Sequence, residues 1–335
     1  MSDKYNKSIW AKLNANRIYW IFAIVFVSMC IFAPKFFNAY NINTILGTVM
    51  LNGIVSIGFT IVLICGHLDL STVSVINMAG NVTIFVVQKT NNFFLAILAA
   101  MISGLIVGVL NGLLVTKGKI NSFIATLGMM ILIQGLVYFA NNAATLSIKN
   151  FAATDFLDAK LIFFIPNRAL IVIILVVIMH LFMSYTTIGK NFYLIGGNIE
   201  SAWYAGLNTD RYLISAFSFS GLFAAIGGAL YSLYLASSMA NIGERGISPL
   251  MIIIAATVLG GASLSGGKGS ILNSYFGVLT LTTIFNGLNC FKLGYETQIF
   301  ISGIVLMIVI MIEASSAYRR NKLIGSKQDL FKHAT

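Results

Sequence analysis

The sequence predicts an all-α polytopic membrane protein with about ten transmembrane helices, some of them broken or half-length. Three observations carry that expectation. Of 335 residues, 58% are hydrophobic and only 9% charged, where a soluble domain carries about 25% charged residues. Asp, Glu, Lys and Arg divide the chain into ten charge-free runs of sixteen residues or more, together 239 positions. A helix needs about 20 apolar residues to cross a hydrocarbon core about 30 Å thick, and shorter runs gain reach from flanking side chains that snorkel. Finally, if every run crosses once from a cytoplasmic N-terminus, the 21 Lys and Arg divide 14 inside to 7 outside, as the positive-inside rule requires. The other 96 positions are scattered in pieces shorter than the roughly 50 residues of an independent domain. No soluble catalytic domain fits.

Each crossing has its own signature. Ile18 to Ala33 follows Lys4, Lys7, Lys12 and Arg17 without a convincing small-residue cleavage site, so it reads as an uncleaved span. The run from Phe36 to Leu68 is too long for one span and too short for two. It predicts an outer loop over Asn38 to Asn43, a crossing over Ile45 to Ile64, and a break near Gly66. Backbone groups freed by such a break need partners in protein or water. Crossings follow over Leu70 to Gln88, Phe93 to Val115, Ser122 to Ala140, Ala169 to Met183 and Tyr212 to Ala236. Pro249 to Gly261 is short enough to be a half-helix, and Ile271 to Cys290 and Thr297 to Tyr318 complete the set. Gly104, Gly108 and Gly112 at spacing four, with Gly221, Ala224, Ala225 and Gly228, predict close helix approach within one subunit or across an interface.

The layout is a cytoplasmic N-terminal segment over 1–17, one transmembrane domain over 18–318, and a basic cytoplasmic tail over 319–335. An even number of crossings leaves both termini in the cytoplasm. The net charge of +11 is then a topology signal and not the footprint of a nucleic-acid partner. Cys30, Cys65 and Cys290 lie in or beside apolar runs without CxxC pairing or a His at metal spacing, so they read as buried hydrophobes and no metal site is expected.

Chemistry-bearing residues are few. The stretch Gly260, Gly261, Gly266, Gly267, Lys268 and Gly269 superficially resembles a phosphate loop, but its register puts Ala262 at the first glycine position and Gly269 where Ser or Thr should stand. A tight glycine turn between two spans is the expectation, with no cofactor. Asp69 is a carboxylate between two long apolar runs. It reads either as an N-cap for a helix starting at Leu70 or as a substrate or ion contact. Asn52, Asn77, Asn81, Asn111, Gln134 and Asn286 fall at membrane depth and can bond a neighbouring helix or a hydroxylated solute. With so few buried carboxylates or histidines, a self-energised carrier is disfavoured. An intramembrane enzyme lacks any clustered nucleophile, metal or acid–base set, so no catalytic residue is assigned.

The segment from Gly189 to Arg211 reads as a short exposed helix over about 198–206. Asn198 caps its start, Gly206 ends it, and Ile199, Ala202, Trp203 and Gly206 share one face. About two turns are marginal alone in water, so this helix must dock on headgroups or on a protein.

At these residues the chain resembles the membrane permease subunit of bacterial ABC importers, in the ribose and xylose branch related to branched-chain amino acid permeases. The family's Gly-Gly-Ile-Asp-Leu-Ser motif is matched by Gly66-His67-Leu68-Asp69-Leu70-Ser71. Asn111-Gly112-Leu113, Phe123-Ile124-Ala125-Thr126-Leu127-Gly128, Ile195-Gly196-Gly197-Asn198 and Ala205-Gly206-Leu207-Asn208 match further patterns, as does Val258 to Ser270. His67 and the pair Trp203-Tyr204 depart from the usual residues. The resemblance implies a type II importer permease fold in the bacterial inner membrane. It implies a cytoplasmic ABC ATPase gripping a coupling helix, a periplasmic or lipid-anchored solute-binding protein, and a second permease copy or sister permease. Asn198, Ile199, Glu200, Trp203, Gly206 and Asp210 are then the candidates for ATPase coupling, and Asp69, Ser71, Asn111 and Gln134 for the helix break and pathway. The implied solute is a monosaccharide such as ribose, with a quorum-sensing furanose signal or branched-chain amino acids as alternatives.

Overall fold

The computed structural model describes residues 17–162, 165–238, 248–291 and part of the stretch 293–311. Helix α1 (Arg17–Phe32) is followed by α2 (Ala39–Ile64), α3 (Thr72–Thr90), α4 (Phe93–Thr116) and α5 (Ser122–Asn141). A connecting segment then carries β1 (Leu146–Ser147), the short α6 (Ala152–Asp158), β2 (Lys160–Ile162) and β3 (Ile165–Pro166). Next come α7 (Asn167–Tyr185), α8 (Thr187–Gly197), α9 (Ile199–Tyr204), α10 (Thr209–Leu235), β4 (Ser237–Ser238), α11 (Pro249–Leu259) and α12 (Ile271–Cys290). The described positions between 296 and 311 are helical. Among the described residues, α2, α4, α5, α7, α10 and α12 are long and apolar enough to cross a membrane, so the chain is a multi-pass helical membrane protein. Helices α1, α3 and α11 coincide with predicted crossings but are shorter or more polar. The crossing predicted over Thr297 to Tyr318 lies largely outside the described residues, as do segments 1–16 and 319–335.

Two expectations need correction. The loop predicted over Asn38 to Asn43 is helical: α2 starts at Ala39, because the Asn38 side chain caps it by accepting from Tyr40 N at 3.0 Å. The length of the charge-free run suggested a loop there, yet Asn41 Nδ2 donates to the Phe36 carbonyl at 2.9 Å and Asn43 serves Arg168. The fold is also not purely helical. β1 pairs antiparallel with β4, Leu146 opposite Ser238, and β2 pairs with β3. Ladders of two or three residues are too short for any hydrophobic period to announce them.

Every residue of α2 from Val49 to Ile64 is buried, as expected of a helix that is apolar all round. Helix α10 packs most extensively against α4, α2 and α3. Small residues make that possible. A Cβ at Gly104 would collide with the Gly221 carbonyl and one at Gly221 with the Gly104 carbonyl, while one at Gly112 would stand 2.6 Å from Ile214 Cα. On another flank of α10, a Cβ at Gly58 of α2 would lie 2.6 Å from the Phe219 carbonyl. The glycine spacing is therefore used inside one subunit. By contrast, α5 exposes Ile124, Ile131, Leu132 and Phe139 on its outer face.

Arg168, counted above with the outer-side charges, is in fact 1% exposed. In the first turn of α7 it pairs with Asp158 of α6, donates to Asn43 Oδ1 at 3.1 Å, and stands 4.5 Å from the Tyr234 ring centroid. One guanidinium thereby joins α6, α7, α2 and α10. A buried charge is tolerable only when so engaged.

Gly104→Val is expected to lower stability by about 1–3 kcal/mol through overpacking, read as a fall in the thermal midpoint of the purified protein. Gly128→Ala, at a position where an added Cβ meets nothing within 4 Å, should leave the midpoint unchanged.

Candidate functional site

Between Ile64 and Thr72 the chain leaves the helix, and several of the freed groups find partners within the protein. Asp69, 1% exposed, accepts from Ser71 N at 3.1 Å and from Ser71 Oγ at 2.6 Å. Ser71 Oγ in turn accepts from Asn111 Nδ2 of α4 at 2.8 Å. Leu70 N donates to Thr126 Oγ1 of α5 at 3.1 Å, and Thr72 Oγ1 to the Asp69 carbonyl at 2.7 Å. The helix expected from Leu70 starts at Thr72 with Ser71 as N-cap, and Ser71 makes no side-chain cap bond. Asp69 supplies the capping function from two residues upstream, where the helix dipole favours an anion. The structure thus joins Asp69, Ser71 and Asn111 in one network. Thr126, unassigned above, completes it; its place in the Phe123 to Gly128 pattern was the available signal.

Gln134 lies further along, on a polar seam between α3 and α5. Ser74 Oγ donates to the Met130 carbonyl at 2.8 Å, Asn77 Nδ2 to Gln134 Oε1 at 3.0 Å, and Asn141 Nδ2 to Asn81 Oδ1. Residues 74, 77 and 81 follow helical spacing on the α5-facing side of α3. The seam ends at a cavity of about 400 Å³ between Met78, Asn81, Phe85, Leu136 and Asn141.

The exposed segment is an elbow of two helices, longer than the single helix expected over 198–206. Helices α8 and α9 meet at Asn198, whose Oδ1 accepts from Ser201 N at 2.8 Å. Gly206 ends α9 at φ +84°, with Leu207 N donating to the Ala202 carbonyl at 3.1 Å. Ala202 is buried, whereas Ile199, Glu200, Trp203 and Tyr204 are exposed. The shared face read from the sequence therefore splits: Ala202 anchors inward, and the Trp203 and Tyr204 rings meet edge-on, centroids 5.1 Å apart, at the tip. Asp210 does not join that tip. In the first turn of α10, it bonds Lys117 Nζ at 2.8 Å and ties α10 to the end of α4.

Beneath the elbow three chain segments cross almost without side chains. Gly267 N donates to the Ile64 carbonyl at 2.8 Å, and a Cβ on Gly196 of α8 would collide with that same oxygen. A Cβ on Gly266 would stand 2.6 Å from the Gly196 carbonyl and 2.8 Å from Gly66 Cα. Gly261, Gly266 and Gly267 have φ of +90°, +79° and +70°, so the expected tight turn is formed in left-handed backbone. Gly260 closes α11 against Asn273, whose carbonyl would be 2.6 Å from an added Cβ. Tyr193 OH donates to the Gly269 carbonyl at 3.2 Å, and burial pushes that phenol above its usual range, so it stays a neutral donor. Gly196 was missing from the candidates; the Gly196-Gly197 pair before the Asn198 cap was its signal. Among the described residues no group of His, Cys, Asp and Glu could hold a metal.

A family model described as branched-chain amino acid transport system / permease component matches residues 41–310. The ribose import permease protein RbsC of Bacillus subtilis (strain 168) is 34% identical over 292 residues, covering 87% of this chain and 89% of that protein. The L-arabinose transport system permease protein AraH of Escherichia coli (strain K12) is 32% identical, covering 88% of each. RbsC of Escherichia coli (strain K12) is 28% identical over 92% of this chain and 96% of its own length. No solved structure matches.

Removing Asn111 or Ser71 leaves a buried polar partner unsatisfied, at about 1–3 kcal/mol each. Asn111→Ala and Ser71→Ala are expected to be non-additive, with a coupling of at least about 0.5 kcal/mol in a double-mutant cycle of thermal stability. Strict additivity would show that the bond contributes nothing.

Proposed function

The chain belongs to the branched-chain amino acid transport system / permease component family, and from that premise we propose that it is the permease subunit of an ATP-driven importer for a monosaccharide of the pentose class. The ribose and arabinose permeases among its relatives support the sugar reading over branched-chain amino acids. We place it in the bacterial inner membrane with both termini in the cytoplasm and ten helices of the type II importer permease arrangement. Helix α11 would then be a half-helix, since its eleven residues cover about half of a 30 Å hydrocarbon core.

The observation that carries the mechanism is the elbow. Its tip presents Trp203 and Tyr204 to solvent, while its base rests through Gly196 on the end of α2. A separate ABC ATPase docks on α9, with Ile199, Glu200 and Trp203 in contact and Asn198 and Gly206 holding the helix ends. Closure of the ATPase pushes α8 against the Ile64 carbonyl and the glycine turn. The stroke passes into α2 and the break at Asp69, and Asp210 carries it to α4 through Lys117. Asp69, Ser71 and Asn111 keep the break shaped while α3 and α5 shift, with Gln134 holding the α3–α5 seam along the pathway. The permease performs no chemistry. A periplasmic or lipid-anchored binding protein delivers the sugar to a pathway formed with a second copy or a sister permease.

The test is uptake of radiolabelled ribose and arabinose by cells carrying the chain with its cognate ATPase and binding protein. Trp203→Ala should cost about 2 kcal/mol of docking, the loss typical of a buried aromatic anchor. ATPase retention on the purified permease should fall with it while the thermal midpoint holds. Gly196→Val should abolish uptake with the ATPase still bound. Sugar transport by the chain alone in proteoliposomes, driven by an ion gradient, would sink the reading.

A further inference from the structure

The central helix α10 is covered by α2, α3 and α4 over most of its circumference, but among the described residues one stripe stays open. Arg211, Ile214, Ser215, Ser218, Phe219 and Leu222 recur at one helical face, and with Leu105 of α4 they line a lateral groove of about 350 Å³. At 1.5 Å per residue this stripe is about 16 Å long, close to half of a hydrocarbon core of about 30 Å. The groove therefore matches one leaflet in length.

Its chemistry is divided in the same way. The Ser215 and Ser218 hydroxyls donate to the Tyr212 and Ile214 carbonyls at 2.8 Å each, so the walls offer a sugar few free hydroxyl donors and present mostly alkyl and aromatic surface. Phe219, stacked on Phe223 with centroids 6.4 Å apart, makes one wall rigid. At one end stands Arg211, exposed. Its neighbour Asp210 is engaged by Lys117 at 2.8 Å, and neither ion pair among the described residues includes Arg211. A cation with no ion-pair partner among the described residues thus heads an apolar trough one leaflet deep.

We propose that this groove binds an acyl chain of an anionic phospholipid, with the headgroup phosphate on Arg211. Guanidinium and phosphate match in charge and in fork geometry, and basic residues at the end of an interhelical groove suit anionic headgroups. The site depends only on the chain lying in a membrane, so it stands apart from the sugar reading.

Native mass spectrometry of the full chain, released from micelles loaded with either phosphatidylglycerol or phosphatidylcholine, tests this. Wild type should retain phosphatidylglycerol about fivefold over phosphatidylcholine, the effect of one basic residue near an anionic surface. Arg211→Gln should erase the preference, Ser218→Trp should reduce retention of both lipids, and Lys119→Gln should behave as wild type. Equal retention of both lipids by wild type, or a preference that survives Arg211→Gln, would overturn the proposal. So would spontaneous crosslinking of Ser218→Cys to a second copy in membranes, which would make the groove a protein interface.

Discussion

One carbonyl, that of Ile64, holds the working parts together. It ends the most deeply buried helix, accepts from Gly267 N, and lies beneath Gly196 with no room for a side chain between them. Three segments far apart in sequence meet there by backbone alone. Backbone-to-backbone contact is stiff because no rotamer can absorb a displacement. The elbow's base and the end of α2 are therefore held together without side chains that could take up a shift between them.

The break that follows is the second constraint. Inside a membrane every freed N–H and C=O must find a partner, because hydrocarbon offers none. Leu70 N is served from α5, Ser71 N and Asp69 Oδ1 are served within the break itself, and Ser71 Oγ accepts from Asn111 of α4. Helices α4 and α5 are consequently tied to the seven residues of irregular chain between Ile64 and Thr72. The same logic extends along the α3–α5 seam, where asparagine and glutamine pairs take the place of a purely apolar contact. Helix pairs joined by small residues, such as α4 and α10, have a close fit and little freedom.

Much of this was legible beforehand. Charge-free runs marked the six long apolar helices, α2 apart, to within a few residues, because in lipid a charged residue is expensive and its absence is a strong signal. The Asn198 cap and Gly206 stop were readable because capping is local chemistry. Legibility failed where one residue type has two uses. Arg168 looked like another outer-side cation, yet its charge is consumed by Asp158, Asn43 and Tyr234, partners that no spacing rule connects. Asn38 and Asn43 looked like loop residues and turned out to be a cap and an acceptor in a continuous helix. The face drawn through Ile199, Ala202 and Trp203 was split, because burial of so short a helix is decided by what lies beneath it.

Composition and charge pattern alone therefore determined that this is a multi-pass helical membrane protein, where its long apolar helices lie, and where the chain must break and turn. These are properties of short windows, set by transfer into lipid and by local backbone preference. Only the tertiary structure decided which polar residues meet: Asn111 with Ser71, Thr126 with Leu70, Gln134 with Asn77, and Gly196 with Ile64. Those pairings join residues 40 or more positions apart. They depend on helix rotation and depth, which the packing of glycine against backbone sets and which no single window of sequence contains.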